Sequence, residues 1–564
     1  MPMYDVHSRP ADRCLNATPM TEFPLPGTPP RLLDDDALQG FIREGYVVLK
    51  SELPREFHDR MHDALDALDE RGPLGHNNLL PCVPELARLL DEPVVRGALT
   101  SILGPGYYLH FHRHDHFALN NEPQPLHKDG DNHSHNAVDG LRRMHRTRFA
   151  MLFYYPQDTP LAKGPTGIVP RSQYVPRRAL EAARYRLNEF NNRLRKEIET
   201  EIGESAFSPR GRELWRERRQ RFHEQNPETM AKLKALDEPW ESAKIPLTGD
   251  AGTVTIVHFD MVHGRYSANT TDLSRHMVKF LFTRDREPVG PAWNGSAAPW
   301  PGGDNPLEPV WQATWDWHRH TASQRCRLHL PSALDALDSS DDHAALGAAY
   351  TLGTQAKWHR DGLDALFDRF LGDDLGRRVV AAYGVVAAGE AGVARLVEAL
   401  HAAGAELAAR IIDVLGDIGP PAASALGELA SATGHQDVNV RRYAAEALGT
   451  VAQGSPFDAN VLAGPLADED ALVRRNAALA TARLAPEIGS RDDLVRALAE
   501  NLYHWHHHVR GWSIEALQRL DSSAAKDVAL RYLSAARWDP MPKSGDTPTG
   551  APAPKGVVKA VTML

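Results

Sequence analysis

Cysteine is scarce: Cys14, Cys82 and Cys326 are the only three in 564 residues. They are too few and too scattered for a disulfide framework or a thiolate zinc site. Long apolar runs are missing too, none approaching the ~20 residues that cross a bilayer. The opening "MPMYDVHSRPADRC" lacks the basic-then-apolar pattern of a secretory leader. Nor is there an excess of positive charge: the formal net charge is −10, whereas nucleic-acid and membrane-surface binders usually carry a basic face. These absences predict a soluble cytoplasmic protein, with neither nucleic acid nor membrane among its partners. The chain is too long for one hydrophobic core, so two or three domains of ~100–200 residues are expected.

The chain has two grammars. Residues 1–33 are rich in Pro, Thr and Asp without periodicity, and read as a mobile tail. "DDDALQGFIREGYVVLK" then offers Asp caps, Leu38, Phe41 and Ile42 on one helical face, and a strand. Strand-like segments dominate about 105–175, among them "YYLHFHRHDHFAL", "RFAMLFYYP" and "TGIVP". A charged helical insert occupies about 177–240. Strands resume with "GTVTIVHFDMVHG" and "RHMVKFLFTR", closing a unit of residues 34–290. Residues 291–342, with many Pro, Gly and Trp, read as a connection. From 343 to 536 the chain is helical and repetitive, and 537–564 reads as a second tail. Aligning the repeats puts Gly384, Gly416, Gly449, Ala482 and Gln518 in one column, at steps of 32, 33, 33 and 36. That period marks an α-solenoid, and the units resemble short HEAT repeats of the phycobilisome-lyase type.

The stretch "PLHKDGDNHSH" concentrates histidine and aspartate. On a strand, residues i and i+2 share a face, so His127 and Asp129 can share an ion while Lys128 points away. Downstream, "GDAGTVTIVHFDMVHGRYSANTTDLSRHMVKF" supplies His263, read as the end of a strand, and Arg275 on the next one. His-x-Asp with one distant His is the facial triad that suits non-haem Fe(II), leaving positions for a co-substrate and O₂. If 2-oxoglutarate filled two of them, its far carboxylate would need a buried cation, best a planar bidentate Arg. Arg275 meets that need.

Residues 34–285 resemble the phytanoyl-CoA dioxygenase family of Fe(II)/2-oxoglutarate oxygenases. "FIREGYVVLKSELP" is similar to the family's entry helix and strand, "HKDG" to its His-x-Asp, "KGPTGIVPRSQ" to its Asn-Gly-Pro…Pro-Gly-Ser-His segment, and "HGRYSANTTDLSRHM" to its distal His, Asn and Arg run. The resemblance implies a double-stranded β-helix, or jelly-roll barrel, with flanking helices. It makes His127, Asp129 and His263 the iron ligands, Arg275 the 2-oxoglutarate anchor, and Asn269 the residue that fixes the turn after the distal His. Arg171 and Gln173 depart from the family's Gly and His, so the substrate is not inherited. Asp129 also matters to the chemistry: halogenating relatives have a small residue there, so hydroxylation or a related oxidation is expected.

Other residues carry expectations of their own. His110, His112, His114 and His116 alternate along one strand face. His112 and His114, with Thr166 and Arg171, are candidates for the substrate or co-substrate pocket. Asp131, His133 and His135 read as rim residues, and His258 as structural, on the opposite face of His263's strand. His504 and His508 stand four apart, as helical chelators do, but a polar repeat face is the simpler reading. Arg177, Arg178, Arg184, Arg186, Arg193 and Arg195 make the insert either a solvated helix pair or a lid for an anionic substrate. The expected function is oxidation of a small molecule, such as an amino acid or secondary-metabolite intermediate, using Fe(II), 2-oxoglutarate and O₂. Two alternatives give the solenoid the working role: a protein-binding scaffold with an auxiliary barrel, or a recruiter of protein- or carrier-bound substrate.

Overall fold

The computed structural model describes residues 28–69, 79–116, 126–129, 145–176, 180–203 and 209–535. Eight strands are present among them: β1 Tyr46–Lys50, β2 Tyr107–Asp115, β3 Phe149–Tyr155, β4 Thr166–Val169, β5 Ile245–Pro246, β6 Thr253–His258, β7 Val262–Arg265 and β8 Val278–Arg284. They form two antiparallel sheets, ordered β1-β6-β3-β8-β2 and β5-β4-β7. His127 extends the smaller sheet through an isolated bridge to His263. From β2 onward the chain passes back and forth between the sheets, as in a jelly roll.

Alternation assigns the faces. On the larger sheet Ala150, Leu152, Tyr154, Val254, Ile256, Val278, Phe280 and Phe282 face outward, into a core with Leu38, Phe41, Phe57, Leu65 and Leu99. Those partners come from the helices Asp35–Glu44, Arg55–Asp69 and Pro93–Leu103. Met151, Phe153, Tyr155, Val257 and Leu281 belong to the other core, with Ile168 from the smaller sheet. The first helix forms as its sequence predicts: Asp34 accepts from the Ala37 N–H, and Gly45 closes the helix at φ 84°, a conformation that favours glycine.

Three expectations change. "GTVTIVHFDMVHG" is not one strand: the chain turns at Phe259–Met261, so β6 and β7 lie in different sheets. Strand β7 ends at Arg265, and the face argument for His258 lapses because it and His263 occupy different strands. The 291–342 stretch is a folded layer. It holds the helices Glu308–His318 and Leu330–Leu337 and puts Trp293, Trp300, Trp311 and Trp315 in the outer core. The insert comprises three helices, Leu180–Ile202, Pro209–Gln225 and Pro227–Ala243.

Paired helices follow, their first members at Asp342–Thr354, Leu375–Ala388, Ala405–Ile418, Val438–Val451, Ala471–Ile488 and His507–Leu520. Asp341, Asp374, Asp437 and Asp470 cap four of them with side-chain acceptors. The glycine column marks where successive first helices touch. A Cβ on Gly449 would stand 2.8 Å from Ala480 Cα, and one on Gly416 would stand 3.0 Å from Ala447 Cβ.

The repeats meet the barrel at one end of its strands. Arg148 donates from Nη2 to the Asp417 carbonyl (3.1 Å), Arg519 pairs with Asp285 (3.3 Å), and Arg286 pairs with Glu487. Trp512 packs edge-on against Tyr108 and Phe111, with ring centroids 5.5 and 5.0 Å away. These contacts gather near the Tyr107–Arg284 pairing, whereas the same ladder carries His114 opposite Lys279 toward its other end.

Candidate metal centre

His127 and His263 exchange backbone hydrogen bonds in both directions, each 2.9 Å. That pairing places their imidazoles side by side, with centroids 4.5 Å apart. Asp129, two residues beyond His127, directs one oxygen at both rings: Oδ1 lies 3.7 Å from His127 Nε2 and 3.7 Å from His263 Nε2. The other oxygen, Oδ2, is ion-paired with Lys279 Nζ. His263 Nδ1 lies 3.0 Å from the Met261 carbonyl, so Nδ1 carries the proton and the Nε2 lone pair faces Asp129.

Electrostatics suit a cation. Burial first, and the neighbouring His127 second, press His263 down to about 3, keeping its imidazole neutral. Burial alone would raise Asp129, but Lys279 and the two histidines hold it well below the ordinary carboxylate range. Two imidazole nitrogens and one carboxylate oxygen therefore converge within 4.8 Å of one another, close enough to share one ion at bonds of about 2.1 Å. The donor set fits a divalent transition metal.

Lys128 turns away from this group, as expected of the intervening residue. It is buried rather than solvated, donating to the Ser172 carbonyl (2.8 Å) and pairing with Asp260 (3.2 Å).

Arg275 is 2% exposed and lies just ahead of β8. Its Nη1 donates to the His116 carbonyl at 2.8 Å, while Nε has no hydrogen-bond partner among the described residues. Tyr155 and Asp115 are its favourable electrostatic neighbours, and burial lowers its pKa. A buried guanidinium of this kind suits a carboxylate. Asn269 fixes the intervening turn: Oδ1 accepts from the Thr271 N–H (3.0 Å), and Nδ2 donates to the Leu273 carbonyl (2.8 Å). Thr166 is buried in β4, its N–H donating to the Tyr155 hydroxyl at 2.8 Å.

Other candidates go elsewhere. Arg171 leaves the pocket: its guanidinium pairs with Glu44 and lies over the Trp311 ring, 5.8 Å from the centroid. Its backbone sits at φ 66°, a conformation that favours glycine. The register of β2 shifts between Leu109 and Arg113, so its histidines do not share one face. His110 packs on His508, centroids 5.0 Å apart, whereas His114 stacks edge-on with His116 at 4.7 Å and pairs across the ladder with Lys279. His112 lies in β2, but its side chain falls outside the described set, as do those of Arg184 and Arg186. Asp131, His133, His135, Arg177 and Arg178 are outside the described residues. Arg193 and Arg195 make i,i+4 pairs with Glu197 and Glu199. His504 and His508 neither chelate along a helix nor form a polar repeat face: the helix begins at His507, with His506 as its cap, and His508 is buried against His110 of the barrel.

Lys279 was not anticipated. Its signal was nonetheless legible, as a lone lysine inside the apolar "MVKFLF", on the same face as Met277 and Leu281.

The family model for HEAT repeats matches residues 393–483. None of the curated proteins matches the chain. Among solved structures, the chain is similar to the non-haem α-ketoglutarate-dependent carbocyclase SnoK from nogalamycin biosynthesis, at 16% identity and TM-score 0.30, over 46% of this chain and 88% of that one. HygX from Streptomyces hygroscopicus, with nickel and 2-oxoglutarate bound, shows 13% identity and TM-score 0.29, over 48% and 93%. The non-haem monooxygenase ThoJ as its nickel complex shows 14% identity and TM-score 0.28, over 58% and 99%. Among the described residues no helix is long and apolar enough to cross a membrane.

Proposed function

We propose that the chain is an Fe(II)- and 2-oxoglutarate-dependent oxygenase on a double-stranded β-helix of the phytanoyl-CoA dioxygenase type. Its substrate class is a small molecule, such as an amino acid or secondary-metabolite intermediate, and hydroxylation of an unactivated C–H is the expected outcome. The supporting observation is the single carboxylate oxygen of Asp129 standing 3.7 Å from Nε2 of both His127 and His263.

Bound Fe(II) would supply the oxidative decarboxylation of 2-oxoglutarate by O₂ and the hydrogen abstraction that follows. The chain's own residues do the rest. His127, Asp129 and His263 hold the metal through one oxygen and two nitrogens. Lys279 occupies the second oxygen of Asp129 and favours one-oxygen ligation. Arg275 receives the far carboxylate of 2-oxoglutarate, and Asn269 holds the turn that leads to it. Phe153, whose ring centroid is 5.6 Å from that of His263, and Met151 exclude water from the inner face. The repeats act as a brace, since they bind the strand ends away from Lys279.

The test is anaerobic titration of metal-free protein with Fe(II) and 2-oxoglutarate, watching the visible charge-transfer band of a bidentate keto-acid on iron. The band should be lost in His263→Ala and need far more 2-oxoglutarate in Arg275→Ala. Folded, iron-supplied wild-type protein without the band would end this reading.

A further inference from the structure

A second set of ligating side chains lies outside the barrel interior and is independent of the oxygenase reading. His62 and Asp66 stand four apart on the helix Arg55–Asp69, and therefore on one face. His276 comes from the run that leads into β8, next to Arg275. Nε2 of His276 is 2.9 Å from Asp66 Oδ1, and Nδ1 of His62 is 3.4 Å from Asp66 Oδ2. The two imidazoles meet edge to face at 5.3 Å, and the three ligand atoms lie within 4.8 Å of one another.

The outer contacts match those that orient metal-ligating imidazoles. His276 Nδ1 is 2.7 Å from Asp115 Oδ2, the carboxylate–histidine arrangement that orients an imidazole toward an ion. His62 Nε2 is 3.3 Å from the Ser274 hydroxyl. The backbone of His276 is clamped as well, its N–H donating to Gln157 Oε1 (3.1 Å) and its carbonyl accepting from Gln157 Nε2 (3.0 Å). Side-chain exposure rises from 0% at His276 to 21% at His62 and 38% at Asp66, which gives an ion a way in.

The competing explanation is an imidazolium clamped by two carboxylates. In metal-free protein burial opposes the charge on His276, but Asp115 and Asp66 outweigh it and raise the group to about 9. That clamp does not call on His62 Nδ1, which faces Asp66 Oδ2. At 3.4 Å the His62–Asp66 approach is long for an N–H···O bond, yet suited to two ligands of one ion.

We propose that His62, Asp66 and His276 bind a divalent cation of the zinc class, with Asp115 and Ser274 as outer partners and solvent completing the coordination. N/O donors in this ratio suit Zn²⁺. The ion would fasten the helix Arg55–Asp69 to the segment that carries Arg275.

The experiment is equilibrium dialysis of the full chain against Zn²⁺, with bound metal counted per chain. Wild type should hold two equivalents, His263→Ala one, His62→Gln and Asp66→Asn one each, and the His263→Ala/Asp66→Asn double variant none. Asp115→Asn should weaken the second equivalent by about 10–100-fold. Zn²⁺ should raise the melting temperature of His263→Ala but not of the double variant, which separates site loss from misfolding. Unchanged zinc content in both His62→Gln and Asp66→Asn would overturn the proposal. A wild type that holds one equivalent, kept in His263→Ala and lost in Asp66→Asn, would count against the barrel site and leave this one standing.

Discussion

Lys279 ion-pairs with Oδ2 of Asp129, while Oδ1 of the same carboxylate faces Nε2 of both His127 and His263. The lysine side chain is 3% exposed and the aspartate 20%. One carboxylate thus balances a buried cation on one side and offers a ligand atom on the other.

Lys279→Met should leave that carboxylate without its cation. Breaking a buried pair from one side costs about 3–5 kcal/mol, so chelator-treated variant should unfold at clearly lower urea than wild type. Mn²⁺ should recover more of the stability in the variant than in wild type, because the ion then supplies the only positive charge. Equal urea midpoints for the two metal-free proteins would show that the pair does not hold the site.

Buried histidines make the barrel–repeat junction sensitive to acid. His110, His145 and His508 are held well below 6.5, by burial first and neighbouring histidines second. His145 lies 2.9 Å from the Tyr350 hydroxyl and stacks on Tyr383 at 4.3 Å. A base depressed in the folded state takes up its proton more readily when unfolded. Stability is therefore complete above pH 6.5 and declines as the pH falls below it. Denaturant midpoints at pH 8 and pH 5.5 should differ, and replacing His145 by Gln should narrow the difference.

Gly449→Val tests the repeat packing. The added Cβ would meet Ala480 Cα at 2.8 Å, and backbone cannot yield as a flexible side chain does. Overpacking of this kind costs about 1–3 kcal/mol. Thermal melting should fall, while 2-oxoglutarate binding in the barrel is retained.

Arg171→Gly separates the structure from the resemblance. Glycine would relieve the left-handed backbone at φ 66°, worth about 1 kcal/mol. It would also remove an ion pair with Glu44 whose partners are 42% and 33% exposed, worth about 0–1 kcal/mol. The two offset, so stability should move little and 2-oxoglutarate affinity should not change. A large loss of affinity would return Arg171 to the pocket.

Much of the candidate centre was legible because its signals are local. His127 and Asp129 stand two apart in the chain, and a single apolar run carries His263. The repeat column was legible for the same reason: a helix pair returns to the same crossing every turn of the solenoid, and the crossing demands a small residue. The alternation of β2 failed as a guide because one register shift exchanges the faces. The helical pairing of His504 with His508 failed because the helix starts between them.

The sequence by itself determined the residue types that could bind a metal and their order, the first helix with its Asp34 cap, and the period of the repeats. These depend on neighbours in the chain, where propensity and spacing act directly. The tertiary structure decided what long-range pairing alone can decide. It brought His127 against His263 across 136 residues, set Lys279 on the free oxygen of Asp129, and took Arg171 out of the pocket. It also placed His276 between Asp66 and Asp115, and joined Trp512 to Tyr108. Each is a contact between segments with no shared periodicity, so only the closed sheets and the helices packed on them could fix it.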